Sequence, residues 1–258
     1  MTPELIKTEV AEDGVATVTF DNPPVNAHSA QVLEEMAYSF DAISDRDDAR
    51  VVILTGAGKV FCAGADIKNR SGRAPEHGDH WQSSRSAREA YHSVRECQKP
   101  VIGALNGPAL GGGLAFAASC DILVAAETAC LGLPEINVGL LGGGRHAQRL
   151  FSHSRLRRMM LTGYRVFGPE LYRLGIVEAC VAADELMDTA LELAREIAAK
   201  SPIAIRLAKH ALNTIEELSL RDGYRFEQSM TGELTKTEDS KEAMRAFVEK
   251  RPPVFTGR

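Results

Sequence analysis

Three glycine-centred segments hold the residues whose types and spacing could do chemistry. The first is Phe61-Cys-Ala-Gly-Ala-Asp-Ile67, after a predicted strand and turn. The second is Asn106-Gly-Pro-Ala-Leu-Gly-Gly-Gly-Leu-Ala115, between a predicted strand and helix. The third is Leu133-Pro-Glu135, leading to Gly139-Leu-Leu-Gly-Gly-Gly144. Glycines at a strand-to-helix junction let the backbone approach a ligand closely and leave the first helical N–H groups for an anion. Two such donors from different loops would form an oxyanion hole. The same glycines also read as turns and close-packing positions. A nucleotide cradle does not fit: no Gly-Lys-Ser/Thr follows a glycine run, and no clean Gly-x-Gly-x-x-Gly opens a helix. Glu135, read from the residues alone, is a helix-start carboxylate favoured by the dipole after Pro134. His146 would titrate near neutrality if exposed.

Four segments taken together, FCAGADI, NGPALGGG with its small-residue helix, LPEINVGL and the ending AFVEKRPPVFTGR, resemble the enoyl-CoA hydratase/isomerase (crotonase) superfamily in order and spacing along nearly the whole chain. The resemblance implies an acyl-CoA substrate whose thioester oxygen is held by two backbone N–H groups, those of Ala63 and Gly112. It also implies a pair of glutamates for hydration. The first of these falls on Ala115 and is missing; the second is Glu135. Water addition divides its proton transfers between two groups, whereas a single carboxylate suffices to move a proton between carbons. The expectation is therefore isomerase-like or specialised hydratase chemistry. Carbon–carbon cleavage, thioester hydrolysis and non-catalytic acyl-CoA binding are the rival readings. His146 and Arg145, where the family has small residues, are possible replacements for the lost carboxylate.

For coenzyme A the resemblance points to the backbone around Asn26 and Ala27, to Ala65, Asp66 and Ile67 near the adenine, and to Lys68, a mobile cation facing phosphates. Phe247 and Lys250 match C-terminal positions that reach the CoA of a neighbouring subunit. Read without the family, they are one core and one solvated helix position. His77, His80 and Trp81 are either a lid over the acyl group or part of an exposed loop. No cofactor beyond the substrate's own CoA is expected, and His and Cys show no metal-ligand spacing. The implied fold is α/β, a crotonase-like spiral of repeated ββα units with a C-terminal helical trimerisation region, forming a homotrimer or homohexamer.

The elements that must position these groups are legible in part. Period-two alternation over 14–20 predicts a half-buried strand, stopped by Pro23 and Pro24. A helix is predicted from Ser29, its N-cap, to about Ile43, with Val32, Leu33, Met36 and Phe40 on one face. Buried strands are predicted at 51–54, 101–105 and 121–125. Residues 69–82 read as a mobile loop, and the chain from about 184 onward as helical. No linker divides it, so residues 1–195 (an α/β core) and 196–258 (helical) are expected to form one unit.

Composition narrows the function classes. The chain has 258 residues, 44% hydrophobic and 25% charged, at the averages for a globular protein. Its net charge of −5 argues against a nucleic-acid binder, and the Arg155-Leu-Arg-Arg158 run reads as a solvated helix face. Five cysteines without a CxxC pair predict buried thiols in a reducing compartment. The charged N-terminus is unlike a signal or transit peptide. The apolar stretch from Leu110 to Ala126 is too short to span a bilayer. A cytoplasmic location without membrane association is the expectation.

Overall fold

The computed structural model describes residues 1–66 and 76–258. β1 (Ile6–Val10) and β2 (Val15–Phe20) form an antiparallel pair. β1 has no counterpart in the sequence reading, because it is an edge strand that fully buries only Ile6. It is held from α1 (Ala30–Ser44), where the Glu35 carboxylate accepts the backbone N–H groups of Glu4, Leu5 and Ile6 at 2.7–3.0 Å. α1 starts as predicted, with the Ser29 hydroxyl accepting the Val32 N–H, and it buries Val32, Leu33, Met36, Phe40 and Ile43.

β3 (Val51–Gly56) is buried throughout. α2 (Asp79–Glu96) leads to β4 (Val101–Leu105), the short β5 (Ala109–Leu110), α3 (Gly112–Ser119) and β6 (Ile122–Ala126). Residues 79–82 are therefore helical, not loop, and His80 and Trp81 belong to the first turn of α2. That helix buries only Ala90 and Val94, so its apolar stripe is too thin to show as a period. β7 (Cys130–Gly132) is followed by a 3-10 turn at Pro134–Val138, α4 (Gly144–Ala147), α5 (His153–Thr162), β8 (Arg165–Phe167), α6 (Gly168–Arg173) and β9 (Ala179–Val181). The basic run lies on α5, where Arg155 pairs with Glu170 and Arg158 stacks on the Tyr164 ring.

Among the described residues the strands form a six-stranded sheet ordered β1-β2-β3-β4-β6-β9, parallel from β2 onward, and a three-stranded sheet β5-β7-β8. A helix bridges each parallel step from β2 to β3, β4 and β6. Parallel strands connected in this way release their C-terminal loops at one sheet edge. The loops at 21–29, 57–66 and 106–111 thus emerge side by side. Phe20 fixes two of these connections by meeting Phe61 and Phe116 edge-on at 5.5 and 5.1 Å, pairs each contributing about 0.5–1.5 kcal/mol beyond area burial.

Four helices complete the chain: α7 (Leu186–Ala198), α8 (Pro202–Ile215), α9 (Leu220–Leu234) and α10 (Glu238–Glu249). The buried Lys209 of α8 ties them to the sheet through Asp121 at 2.8 Å and the Lys99 carbonyl at 3.0 Å. At the start of α10, buried Asp239 accepts from the Ser201 hydroxyl and from the N–H groups of Thr256 and Gly257. Burial pushes its carboxyl up, but these hydrogen bonds outweigh it and hold the group below its usual range. No helix among the described residues is long and apolar enough to cross a membrane.

Candidate active site

The first loop is clasped to the second by Asn26. Its backbone is left-handed (φ 53°), and its buried amide donates to the carbonyls of Ala57 and Val60 at 3.0 and 2.7 Å. Asn22 in turn donates to the Ala27 carbonyl at 2.7 Å. The Asn26 side chain is thus committed to the scaffold, leaving only backbone at 26–27 to meet a ligand.

The second loop runs between the first and β5. Cys62 bridges Ala109, donating to the Pro108 carbonyl and accepting from Leu110 N–H. Its thiol is fully buried, and burial pushes its pKa up to about 12. Ala63, the first donor expected from the resemblance, does not offer its N–H, which donates to the Val25 carbonyl at 3.1 Å. At Gly64 the backbone turns left-handed (φ 90°), and its carbonyl accepts His28 N–H at 2.8 Å. In a trans peptide C=O and N–H point oppositely, so Ala65 N–H points away from His28, towards β5 and α3. That amide makes no hydrogen bond among the described residues. A Cβ on Gly64 would stand 3.4 Å from Gly112 N, which shows how closely the two loops approach. Gly112 opens α3, so its N–H lacks an intrahelical acceptor. Ala65 and Gly112 therefore converge, and Ala63 is replaced.

Glu135 lies against the same glycines. A Cβ on Gly111 would meet its Oε1 at 2.2 Å, and one on Gly142 at 3.6 Å. Its other oxygen is buried without a hydrogen-bond partner among the described residues. Burial raises its pKa, only partly opposed by its own backbone N–H. A helix-start carboxylate in solvent would show neither feature, and a half-buried acid aimed at a glycine cradle is suited to proton transfer.

Ala115 is fully buried in α3, and the carboxylate that would stand there is absent. Against Gly112, His28 Nε2 and the Tyr91 hydroxyl lie 3.5 Å apart, and Phe116 and His146 meet the Tyr91 ring edge-on at 4.7 and 5.1 Å. Neither His28 nor Tyr91 was singled out by sequence. Separated by 63 residues, they meet only because the first loop and α2 both abut α3. His146 does not titrate near neutrality: burial first, then neighbouring His92 and Arg149, pushes it down to about 4. It is neutral at pH 7, and an NMR titration of the imidazoles should place its inflection near 4; one near 6.5 would contradict this burial. Arg145 is exposed and paired with Glu217 at 2.8 Å.

The remaining candidates are dispersed. Asp66 donates its N–H to the His28 carbonyl at 3.2 Å, a loop-shaping contact. Ile67 and Lys68 lie outside the described residues. His77 precedes α2, and Trp81 is exposed beside His80. Phe247 is 85% exposed, so the core reading of that position fails, and Lys250 caps α10 in a left-handed conformation. The contacts that join Ala65, Gly112 and Glu135 include neither. No cluster of three metal-ligating side chains exists among the described residues.

The fold matches known proteins. An enoyl-CoA hydratase from Bacillus anthracis superposes with a TM-score of 0.93 at 34% identity, covering 99% of this chain and 100% of that one. The molecule has the crotonase fold. The family model for enoyl-CoA hydratase/isomerase matches residues 10–258. A short-chain-enoyl-CoA hydratase of Clostridium acetobutylicum is 37% identical, over 93% of both chains. A Mycobacterium tuberculosis protein named (7aS)-7a-methyl-1,5-dioxo-2,3,5,6,7,7a-hexahydro-1H-indene-carboxyl-CoA hydrolase is 38% identical over 95% of this chain and 99% of its own. The chain belongs to the enoyl-CoA hydratase/isomerase family of acyl-CoA-transforming enzymes.

Proposed function

We propose that the chain binds an acyl-CoA with its thioester oxygen between the N–H groups of Ala65 and Gly112, and that Glu135 moves the proton at C2. The observation that carries this reading is the convergence of two amide donors and a half-buried carboxylate on Gly111 and Gly112. Removal of the C2 proton sends charge onto the thioester oxygen. Donors already aimed there stabilise that charge without reorganising. CoA itself would run along the backbone at Ala27, Ala65 and Asp66 towards Ile67 and Lys68. In a homotrimer or homohexamer, Phe247 and Lys250 would reach a neighbour's CoA.

A second reading, thioester or carbon–carbon hydrolysis, is favoured by the likeness to the carboxyl-CoA hydrolase together with the alanine at 115. The test is incubation with 2-enoyl-CoA in heavy-oxygen water, with 3-enoyl-CoA, and with cyclic β-keto acyl-CoAs, followed by mass analysis. A labelled 3-hydroxyacyl-CoA or a shifted double bond would support proton transfer at C2 through the enolate. A labelled carboxylate product would move the assignment to hydrolysis. No product from any of them would overturn it.

A further inference from the structure

The face of α3 that the missing carboxylate would use is already filled. Residues 112, 115 and 116 share one helical face. A helical side chain leans towards the N-terminus and covers the turn before its own Cα. A glutamate at 115 would therefore end above Gly112. That volume holds two other polar groups: a Cβ on Gly112 would meet His28 Nε2 at 2.1 Å and the Tyr91 oxygen at 2.7 Å. His28 is buried and fixed by backbone bonds to Gly64 and Asp66, while Tyr91 is braced by Phe116. Glu135 stands over the adjacent Gly111. The two acid/base groups thus flank consecutive Cα atoms, roughly 3.8 Å apart.

We propose that Tyr91 and His28 together replace the carboxylate absent at position 115 as the second acid/base, committing the site to adding water across the double bond of a 2-enoyl thioester. This deepens the enolate reading and rests on it. The water oxygen bonds to C3 while one water proton passes to the Tyr91 oxygen and the Tyr91 proton passes to His28 Nε2. The C2=C3 electron pair moves onto the thioester, forming the enolate held by Ala65 and Gly112. Protonated Glu135 then gives its proton to C2. The imidazolium proton returns to the Glu135 carboxylate through solvent, so the net change is addition of one water. In this scheme Tyr91 is the catalytic residue, the group that would meet the water, and His28 positions it and takes its proton. Their 3.5 Å separation is long, as catalytic hydrogen bonds often are before substrate binds. Burial of Glu135 favours its protonated form and so supports its role as the acid.

Two rates separate the steps: hydration of 2-hexenoyl-CoA, and exchange of the C2 hydrogens of hexanoyl-CoA in heavy water, which needs only Glu135 and the two amides. The wild type is expected to do both. Tyr91→Phe and His28→Asn are each expected to lose hydration at least about 100-fold, with melting temperature preserved. Exchange should stay within a few-fold of wild type, and the double variant should be no worse than the singles, because they share one step. Hydration at the wild-type rate in Tyr91→Phe would overturn the proposal, as would exchange without hydration in the wild type. Equal losses of hydration and exchange would also overturn it, by revealing a merely structural role. Absence of both rates in the wild type would instead sink the underlying enolate reading.

Discussion

Glu135→Gln should reduce turnover by about a thousandfold or more, within the range that a positioned acid/base contributes, while acyl-CoA binding stays within a few-fold of wild type. Glutamine keeps the shape and removes the titration. Burial raises the Glu135 carboxyl above its ordinary 4.5, and the sign of the pH effect follows. Exchange at C2 needs the carboxylate, so its rate should fall as pH drops through a value above 4.5 and level off at higher pH. The variant should show no such limb. Steady-state rates and calorimetric binding of hexanoyl-CoA across pH check both points. Unchanged turnover in Glu135→Gln would remove Glu135 from the chemistry.

The second large effect is expected at Gly112. An alanine there would place its methyl 2.1 Å from His28 Nε2 and 2.7 Å from the Tyr91 hydroxyl, contacts that real side chains do not make. His28 is buried and held by backbone bonds to Gly64 and Asp66, so the first turn of α3 is expected to rotate and carry the Gly112 N–H off the proposed thioester-oxygen position. Misplacing one such donor costs about 3–4 kcal/mol of transition-state stabilisation, roughly 100- to 1,000-fold. The C2 exchange rate is the cleaner readout, because it needs the donor and not the Tyr91–His28 pair. Gly112→Ala should lose exchange where Tyr91→Phe keeps it. Full exchange in a folded Gly112→Ala protein would show that this amide does not hold the oxygen.

The parts of this molecule legible in sequence are those fixed by local pattern. Ser29 sits where a cap must sit, and the uninterrupted Val51-Val-Ile-Leu54 run announced a strand buried on both faces. The glycine runs marked the loops that matter, and Pro-Glu marked the acid/base candidate. What sequence could not show depends on backbone direction and on distant segments meeting. Ala63 and Ala65 look alike along the chain, and only the folded backbone shows that the Ala63 N–H is spent on the Val25 carbonyl. The first turn of α2 went unseen because charged and polar residues cover its sides. His146 looked like a shuttle until packing showed it desolvated. Phe247 looked like core in a helix that leaves it bare.

The burial of Cys62 has a consequence for the enzyme's own survival. A thioester is an acyl donor to any thiolate, and Cys62 lies three residues from the Ala65 amide proposed to polarise it. A sulfur ionised at neutral pH in that place would exchange with CoA and leave the enzyme acylated on its own loop. With the side chain sealed beneath the loop and its ionisation pushed to about 12, sulfur remains a thiol, a poor nucleophile. A loop that holds an activated acyl group in the proposed way would then not become its recipient.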